Sequence, residues 1–457
     1  MNEDYREYLE CFDNGFADDC PANGFASSAD EPENALINKN TSKQETYGVT
    51  FQWDKQLGAH KLLTGVTLQQ SKTRYQQWSA DAEFDGARVA IIEGDFENQA
   101  DHKGKNNQYA LFVGDVFTPA PGTLLMGALR YDYAKVKNDL MSWEEDGDEH
   151  PTKESFSYKK LNPSFGFSQV LNKQATVFGN WSQGMRVPTA FELGCSNPDY
   201  PCRVPTGLQD DPYLKPIISQ TAEIGFRLFP TEKTRVTIAA FSNINKDDVM
   251  FVRAPSSTVG NEGIFQNIGK TQRDGIELTA RHRESRWELG ASYTYLKARY
   301  KSNLELPSLE DEIDVTPGTR IAGLPEHFFK FAAMYRVTPQ VRIGGDVQMY
   351  GSQVVAGNET KNSPAVQAGG DAEEAGGVNK LAGYGILNLN ANYEYVKGLN
   401  FFVRVNNVFD KKYASYATLG YNMFPGGSIA TSEAEGAVFY APGAPRAVFA
   451  GVRYEFK

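Results

Sequence analysis

Apolar and polar residues alternate along much of this chain with the period of two that is typical of a β-strand. In the last such stretch, Val452 and Tyr454 fall on one face and Arg453 on the other. About fifteen stretches of this kind can be counted, the first at 46–53 and the last at 446–456. No long segment has the 3.6-residue period of a helix, so the pattern predicts an all-β protein.

The connections between these stretches are alternately very short and very long. Residues 172–173 and 397–398 are short links, whereas 187–216 and 356–382 are long ones. Tight turns at one rim and long loops at the other are typical of outer-membrane barrels, in which only alternate residues face lipid. We therefore predict an antiparallel up-and-down transmembrane β-barrel with its long loops outside the cell.

The charge of the chain changes what the first segment is expected to be. The formal net charge is -11, and residues 1–45 alone carry 11 acidic side chains against three basic ones. We expect 1–45 to be the remnant of an extracellular loop, either simply solvated or attracting cations, and 46–457 to be barrel. No basic stripe is evident in the linear sequence, so a nucleic-acid partner is not expected.

Four cysteines fall in two local pairs, Cys11 with Cys20 and Cys195 with Cys202. Each pair lies in a polar, loop-like stretch, and local disulfides would fit an oxidising compartment. All three possible connectivities remain open at this stage. A zinc site is the alternative, but the spacings are not C-x2-C and no histidine lies nearby, so no metal site is predicted.

Motifs for catalysis were sought and not found. The sequence has no P-loop, no H-E-x-x-H and no G-x-S-x-G, and its five histidines are scattered. We therefore predict neither an enzyme nor a bound cofactor.

Three motifs carry a resemblance to a known family. They are N-W-S-Q-G-M-R-V-P-T-A-F-E-L at 180–193, D-P-Y-L-K-P at 211–216 and N-N-V-F-D-K-K-Y at 406–413. Together with the aromatic C-terminal strand, they resemble TonB-dependent outer-membrane receptors from about residue 46 onwards. Physically, Pro188 cannot join a ladder, and Asn407 can cap backbone groups where the sheet opens. The motifs are therefore interpreted as architectural.

The resemblance implies a barrel of 22 strands in a Gram-negative outer membrane, filled by an N-terminal plug that follows a TonB-contacting segment. About fifteen strands would be the last of the 22, so we expect a C-terminal fragment, inactive alone, without signal peptide, TonB-contacting segment or plug. Contact with the TonB complex would occur through that missing region. Outer-membrane lipid would surround the wall, and Lys457 after Phe456 departs from the usual ending read by the barrel-assembly machinery.

The family resemblance also implies a scarce nutrient as ligand, and a ferric siderophore or similar small ligand is expected. Haem is less expected, because relatives that bind it carry a histidine that the chain lacks between the first two motifs. Arg186, Tyr200, Arg203 and Tyr213 are the candidate contacts, since arginine and aromatic side chains suit an anionic ferric chelate. For each of them the alternative is an ordinary loop residue.

Two other classes of protein remain open. A passive porin-type channel of about sixteen strands would share the short turns and long loops, but would need a constriction loop and a closing strand. A soluble β-rich surface or adhesion protein would bury the Tyr and Phe faces between two sheets.

Overall fold

A computed structural model of the chain describes ten stretches of the sequence. They are residues 35–84, 89–92, 94–143, 149–193, 202–203, 214–253, 262–307, 312–360, 380–422 and 435–456. Within them, one antiparallel sheet contains fifteen strands that pair in chain order. The prediction of about fifteen strands is confirmed. None of the helices in these stretches is long and apolar enough to span a bilayer.

Every strand of the sheet pairs with its neighbours in sequence, as an up-and-down topology requires. The strands are β1 Ala35–Leu57, β2 His60–Phe84, β3 Glu97–Ala120, β4 Thr123–Trp143, β5 Glu149–Asn172, β6 Ala175–Arg186, β7 Ile217–Thr231, β8 Thr234–Lys246, β9 Thr271–Arg283, β10 Trp287–Tyr300, β11 His327–Arg336, β12 Val341–Tyr350, β13 Tyr384–Val396, β14 Leu399–Asn406 and β15 Ala447–Tyr454. A further short strand, Ala90–Ile92, pairs with β2.

The two faces of the sheet differ in chemistry. Large apolar side chains stand exposed on the outer face, among them Phe51, Leu111, Phe165 and Val452. Such a face is unfavourable in water but suits lipid. The alternating sequence therefore produces a wall with one apolar face. A soluble two-sheet protein would bury its Tyr and Phe faces, and these residues are exposed instead.

The inner face is polar and is hydrogen-bonded across strands. The Asn388 amide donates to Asp346 Oδ2 at 3.0 Å, and the Asn180 amide donates to Glu223 Oε2 at 3.0 Å. Aromatic rings also cover small residues here, because a Cβ on Gly225 would lie 2.7 Å from the Phe178 ring. Glycine at this position thus lets the ring lie flat against the neighbouring strand.

The short links form tight turns at one end of the sheet. Gly122 and Gly398 adopt φ values of 82° and 89°, a left-handed conformation that glycine tolerates without steric cost. The amide of Val170, on the next strand, donates to the Gly122 carbonyl at 2.8 Å. The short turn predicted at 397–398 is therefore confirmed, and Gly122 forms a second one between β3 and β4.

Strand length divides the sheet into two regions. β1 to β5 run for 21 to 25 residues, whereas β6 to β15 run for 8 to 15. The predicted first strand, 46–53, was too short because the charged residues above it also pair with β2 from Ala35 onwards. Residues 35–45 are thus strand, while 1–34 lie outside the described stretches and their assignment to a loop stays a prediction.

β1 and β15 are the two edges of the described sheet, and no pairing between them is present in that part of the chain. The antiparallel barrel wall is therefore confirmed as an up-and-down sheet. The total of 22 strands stays a prediction.

Above β6 to β15 the connections form short hairpins of their own. Leu304–Pro307 pairs with Glu312–Val315, Val249–Arg253 with Glu262–Asn267, and Ala414–Asn422 with Glu435–Pro442. Small apolar clusters pack against these hairpins. Because an isolated two-stranded hairpin is only marginally stable in water, this packing stabilises them.

Candidate functional site

We call the end of the sheet opposite the short turns the mouth. It comprises the strand ends there, the helix at 190–193 and the hairpins at 249–267, 304–315 and 414–442. Its apolar clusters hold the loops against the inner ends of the strands. One cluster buries Tyr300 with Leu306, Ile313 and Val315. These contacts fix hairpin 304–315 over the inner wall, so part of the mouth is a packed surface.

The first motif, residues 180–193, ends in a short helix at the mouth. Helix α1, Ala190–Leu193, begins after Pro188. The Glu192 amide donates to Thr189 Oγ1 at 3.0 Å, and the Thr189 amide donates to Glu192 Oε2 at 2.8 Å. This reciprocal pair is a capping box, which satisfies two backbone donors at the helix start.

Arg186, one of the four candidate ligand contacts, is tied to that capping box. Its Nη1 lies 2.7 Å from Glu192 Oε2 and donates to Oε1 at 2.8 Å. The Arg186 side chain remains 44% exposed. This geometry gives Arg186 an architectural role, and ligand contact by Arg186 stays a prediction.

Helix α1 rests on β3 and β4. Leu193 and Ala190 are buried in a cluster with Val136 and Tyr158, and Tyr158 donates to the Leu214 carbonyl at 3.1 Å. A Cβ on Gly104 would overlap Ala190, so only glycine allows the helix to approach this closely. Both the first motif and the segment at Leu214 are therefore anchored to the long strands β3 to β5.

The other candidate contacts are not brought together by the described residues. Tyr200 and Tyr213 lie outside them, as do Cys11, Cys20 and Cys195. Cys202 and Arg203 are described as backbone only, where they pair with Gly263 and Glu262. Their ligand contacts and the two disulfides stay predictions.

The third motif is architectural, as interpreted from the sequence. The Asn407 side chain donates to the carbonyls of Lys411 and Ala444 at 3.0 Å, and Asp410 accepts the Arg446 amide at 2.9 Å. That backbone hydrogen bond, helped by Lys412, lowers the pKa of the Asp410 carboxyl. The motif thus ties the beginning of the segment between β14 and β15 to its end.

An aromatic row that the sequence analysis did not single out lines the inner wall at the mouth. The Phe328 and Tyr350 ring centroids lie 5.4 Å apart, those of Tyr350 and Tyr384 4.9 Å, and those of Tyr384 and Tyr413 4.2 Å. All four side chains are partly exposed. A tyrosine at the last position of β12 and another at the first of β13 were the available signal, but their alignment requires the sheet register.

Polar side chains next to this row and along the mouth are hydrogen-bonded to one another. Tyr350 donates to Gln348 Oε1 at 3.1 Å. The buried Asp248, just after β8, accepts from Thr271 Oγ1 on β9 and from Asn245 at 3.2 Å. Arg273 Nη1 lies 3.6 Å from the same carboxylate. This arrangement satisfies polar groups of the mouth internally, while the four aromatic rings stay partly exposed.

One histidine is buried at the mouth below α1. His102 is fully buried, and burial lowers the pKa of its ring despite the opposing effect of Asn138. A neutral ring follows at neutral pH. Across the described stretches, no group of three His, Cys, Asp or Glu side chains is placed to hold a metal.

The exposed apolar outer face, the polar inner wall and the packed mouth define the class of this protein as an outer-membrane antiparallel β-barrel wall. The family follows from sequence comparison. Residues 6–408 match the family model "TonB dependent receptor-like, beta-barrel". The chain belongs to this family of Gram-negative outer-membrane receptors. The expectation that it is not an enzyme is thereby confirmed.

Curated relatives are similar over part of their length. The chain is 26% identical over 208 residues to the ferrioxamine receptor of Yersinia enterocolitica, covering 45% of this chain and 26% of that receptor. It is 24% identical over 215 residues to the catecholate siderophore receptor Fiu of Escherichia coli K12, covering 47% and 25%. The aligned part is thus about a quarter of these relatives.

Solved structures share the fold across nearly the whole chain. The siderophore receptor PiuA from Acinetobacter baumannii superposes with a TM-score of 0.64 at 14% identity, covering 91% of this chain and 56% of PiuA. The copper transporter OprC gives 0.63 at 17% identity, covering 92% and 58%. The chain therefore spans little more than half the length of these structures.

Proposed function

We propose that this chain forms barrel wall of a receptor that takes up a ferric siderophore across the outer membrane with energy delivered through TonB. The polar inner wall would line the path of the ligand, and the mouth would be its first contact from outside. Contact with TonB would involve a plug and TonB-contacting segment of the kind expected from the family.

The aromatic row is the observation that carries the ligand class. Ferric siderophores are large polar chelates with flat amide, hydroxamate or catechol groups. The partly exposed rings of this row can contact such groups, and the tyrosine hydroxyls can donate to anionic oxygens of the chelate. The names of the ferrioxamine and catecholate receptors support the same class.

The candidate loop contacts extend the proposal. Arg203 and Cys202 belong to a strand next to hairpin 249–267, close in the chain to Tyr200 and Tyr213. We include Arg186, Tyr200, Arg203 and Tyr213 as ligand contacts, with a disulfide between Cys195 and Cys202 bracing the loop. Cys11 and Cys20 would form the second disulfide, in the segment before β1.

Direct binding tests the ligand class. The purified chain in detergent is titrated with ferrioxamine, a ferric catecholate and copper(II), and quenching of intrinsic fluorescence is recorded. A double variant, Tyr384→Ala with Tyr413→Ala, removes half of the aromatic row. The matched control is Tyr393→Ala with Tyr395→Ala on the outer face, a pair whose rings also contact, edge to face, with centroids 6.2 Å apart.

We expect one ferric chelate to bind, the inner double variant to weaken it at least tenfold and the outer control to bind normally. Equal binding by both variants would remove the aromatic row from the proposal. TonB dependence is tested by radioactive iron uptake in cells with and without TonB, and uptake that ignores TonB would favour the passive porin-type channel.

Copper is a second candidate, favoured by the similarity to OprC. Because no metal-ligand group is placed in the described stretches, its ligands would have to include residues outside them. Tight binding of copper(II) together with no binding of any ferric chelate would replace the siderophore proposal by copper transport.

A further inference from the structure

The outer face of β1 to β5 carries a basic surface above its apolar belt, which we call the lysine patch. The patch consists of Lys43, Lys72, Arg74, Lys103, Lys105, Lys135, Lys137 and Lys153, interspersed with Glu45, Asp101 and Asp139. Eight cations against three carboxylates is a local excess in a chain whose net charge is -11. The linear sequence does not display this stripe, because its members lie on five different strands.

Strand alternation explains why the charges share one face. Lys103 and Lys105, like Lys135 and Lys137, are two residues apart on a strand, so each pair points the same way. Both pairs are exposed or half-buried while the residues between them, Gly104 and Val136, are buried at the inner side. The lysines therefore point away from the barrel interior.

The register places three lysines directly opposite one another. Lys72 pairs with Lys105 on β3, and Lys105 pairs with Lys137 on β4. With neighbouring strands about 4.8 Å apart, the three Cα atoms span about 10 Å. Like charges directly opposite each other destabilise a sheet, so this row is unfavourable unless an anion neutralises it.

One carboxylate, Glu45, lies directly opposite Lys72 at the β1 end of the row, whereas Asp101 and Asp139 lie opposite other residues. Glu45 lies 2.9 Å from Lys43 Nζ, and Asp101 lies 2.9 Å from Arg74 Nη2. Asp139 is 3.9 Å from Lys153. Within the described residues, Lys72, Lys105 and Lys137 have no carboxylate within the 4.0 Å ion-pair distance.

The height of the row matches the membrane surface. Below it on the same face stand Tyr109 and Tyr133, with ring centroids 6.2 Å apart, followed by exposed Leu111 and Val113. Lys105 is four residues beyond Tyr109, which is about 10 Å along the membrane normal for strands tilted by about 40°. An aromatic girdle lies at headgroup level, so a row about 10 Å farther out lies at the outer side of that layer, within reach of the polar part of a large lipid headgroup.

We propose that the lysine patch binds the phosphate groups of the outer-leaflet lipopolysaccharide. The partner is a phosphorylated glycolipid and not a soluble anion, because the row lies on the lipid-facing side directly above the apolar belt. A groove of about 790 Å³ lined by Lys72, Lys105 and Lys137 could receive a diphosphorylated headgroup. The proposal rests on the outer-membrane location and is independent of the transported ligand.

The test uses the purified chain in detergent and the variant K72Q/K105Q/K137Q. Glutamine keeps a polar side chain only one atom shorter and removes the repulsion between the lysines, so the sheet should still fold. The control, K55Q/K173Q/K397Q, removes three exposed lysines in or beside the short turns at the opposite end of the sheet. Each protein is titrated with diphosphorylated lipid A, with enzymatically dephosphorylated lipid A and with inorganic pyrophosphate, and both binding and thermal unfolding are measured.

We expect lipid A to bind and stabilise the wild-type chain and the control, and to bind the triple variant at least ~10-fold more weakly, because each basic residue near an anionic surface contributes measurably. The preference should decrease at high salt. Equal binding of lipid A by the triple variant would overturn the proposal. So would equal binding of dephosphorylated lipid A, or equal protection by pyrophosphate, which would indicate a soluble-anion site.

Discussion

The two regions of the sheet build the part above the membrane in different ways. In β1 to β5 the strands simply continue, so that the hydrogen-bonded ladder itself rises past the apolar belt. In β6 to β15 the ladder stops early, and separate hairpins fold over the mouth and pack on small apolar clusters. One region uses backbone pairing and the other uses side-chain packing.

This difference determines where each region is vulnerable. A long ladder distributes its stability over many backbone hydrogen bonds, so exposed substitutions cost little. A hairpin held by five or six apolar side chains loses much of its anchorage when one of them is removed. The following changes test that contrast, beginning with the largest expected effect.

Tyr300→Ala should detach hairpin 304–315 from the mouth. Tyr300 is 1% exposed in the cluster with Leu306 and Val315, and loss of a buried aromatic side chain costs about 3–5 kcal/mol. Hydrogen exchange of residues 304–315 should accelerate strongly while β1 to β5 keep their protection. Tyr300→Phe, which loses only the hydroxyl contact with the Met250 sulfur, is the control. Equal loss of protection in both regions would contradict the contrast.

Gly104→Val should displace helix α1 from β3. The new side chain would collide with Ala190, and overpacking of this kind costs about 1–3 kcal/mol. Limited proteolysis near 187–193 should become faster. Gly290→Val is the matched control on β10, because a Cβ there meets nothing within 4 Å. If the two variants were cleaved alike, the close approach of α1 to β3 would not matter.

Thr189→Ala should weaken the start of α1 without moving the strands. The lost side-chain acceptor normally contributes about 1 kcal/mol to a helix start. Thr189→Ser keeps the hydroxyl and should restore wild-type exchange of the Glu192 amide. An unchanged exchange rate in the alanine variant would show that packing of Leu193 alone holds the helix.

Glu359→Gln should change the pH response of the loop beside hairpin 414–442. Burial raises the pKa of the Glu359 carboxyl, so its folded pKa lies above the unfolded one and the native loop binds the proton more tightly. Stability is therefore greatest below the unfolded pKa and falls as pH rises through the folded pKa. The glutamine variant should remove this fall, with hydrogen exchange of 353–359 becoming independent of pH after correction for intrinsic rates. A fall of equal size in the variant would assign it to other groups that titrate in the same pH range.

Much of the wall could be predicted from the sequence. Alternation identified all fifteen strands because lipid on one side and water on the other select opposite chemistry at successive residues. It failed at the upper ends of β1 to β5, where the outer face changes from apolar to charged. At Lys43 and Arg74, for example, cross-strand pairing continues although the apolar signal has ended.

Less of the mouth could be predicted. The capping box at Thr189 and Glu192 is local in sequence and explains the first motif. The aromatic row and the lysine patch depend on which residues lie opposite each other on neighbouring strands, such as Tyr350 and Tyr384. A single sequence does not give that register in advance. The candidate contacts were chosen by their position in predicted loops, so both surfaces were missed.

The hairpin clusters make the mouth modular. Hairpin 304–315 packs on one apolar group, which it shares with Met250 of hairpin 249–267, and hairpin 414–442 packs on another, around Val355 and Leu381. Exchange of one hairpin for a sequence of different length would thus leave the wall and the other hairpin in place. A receptor constructed in this manner can acquire a new ligand preference by replacing one loop unit, without having to re-evolve its membrane-spanning strands.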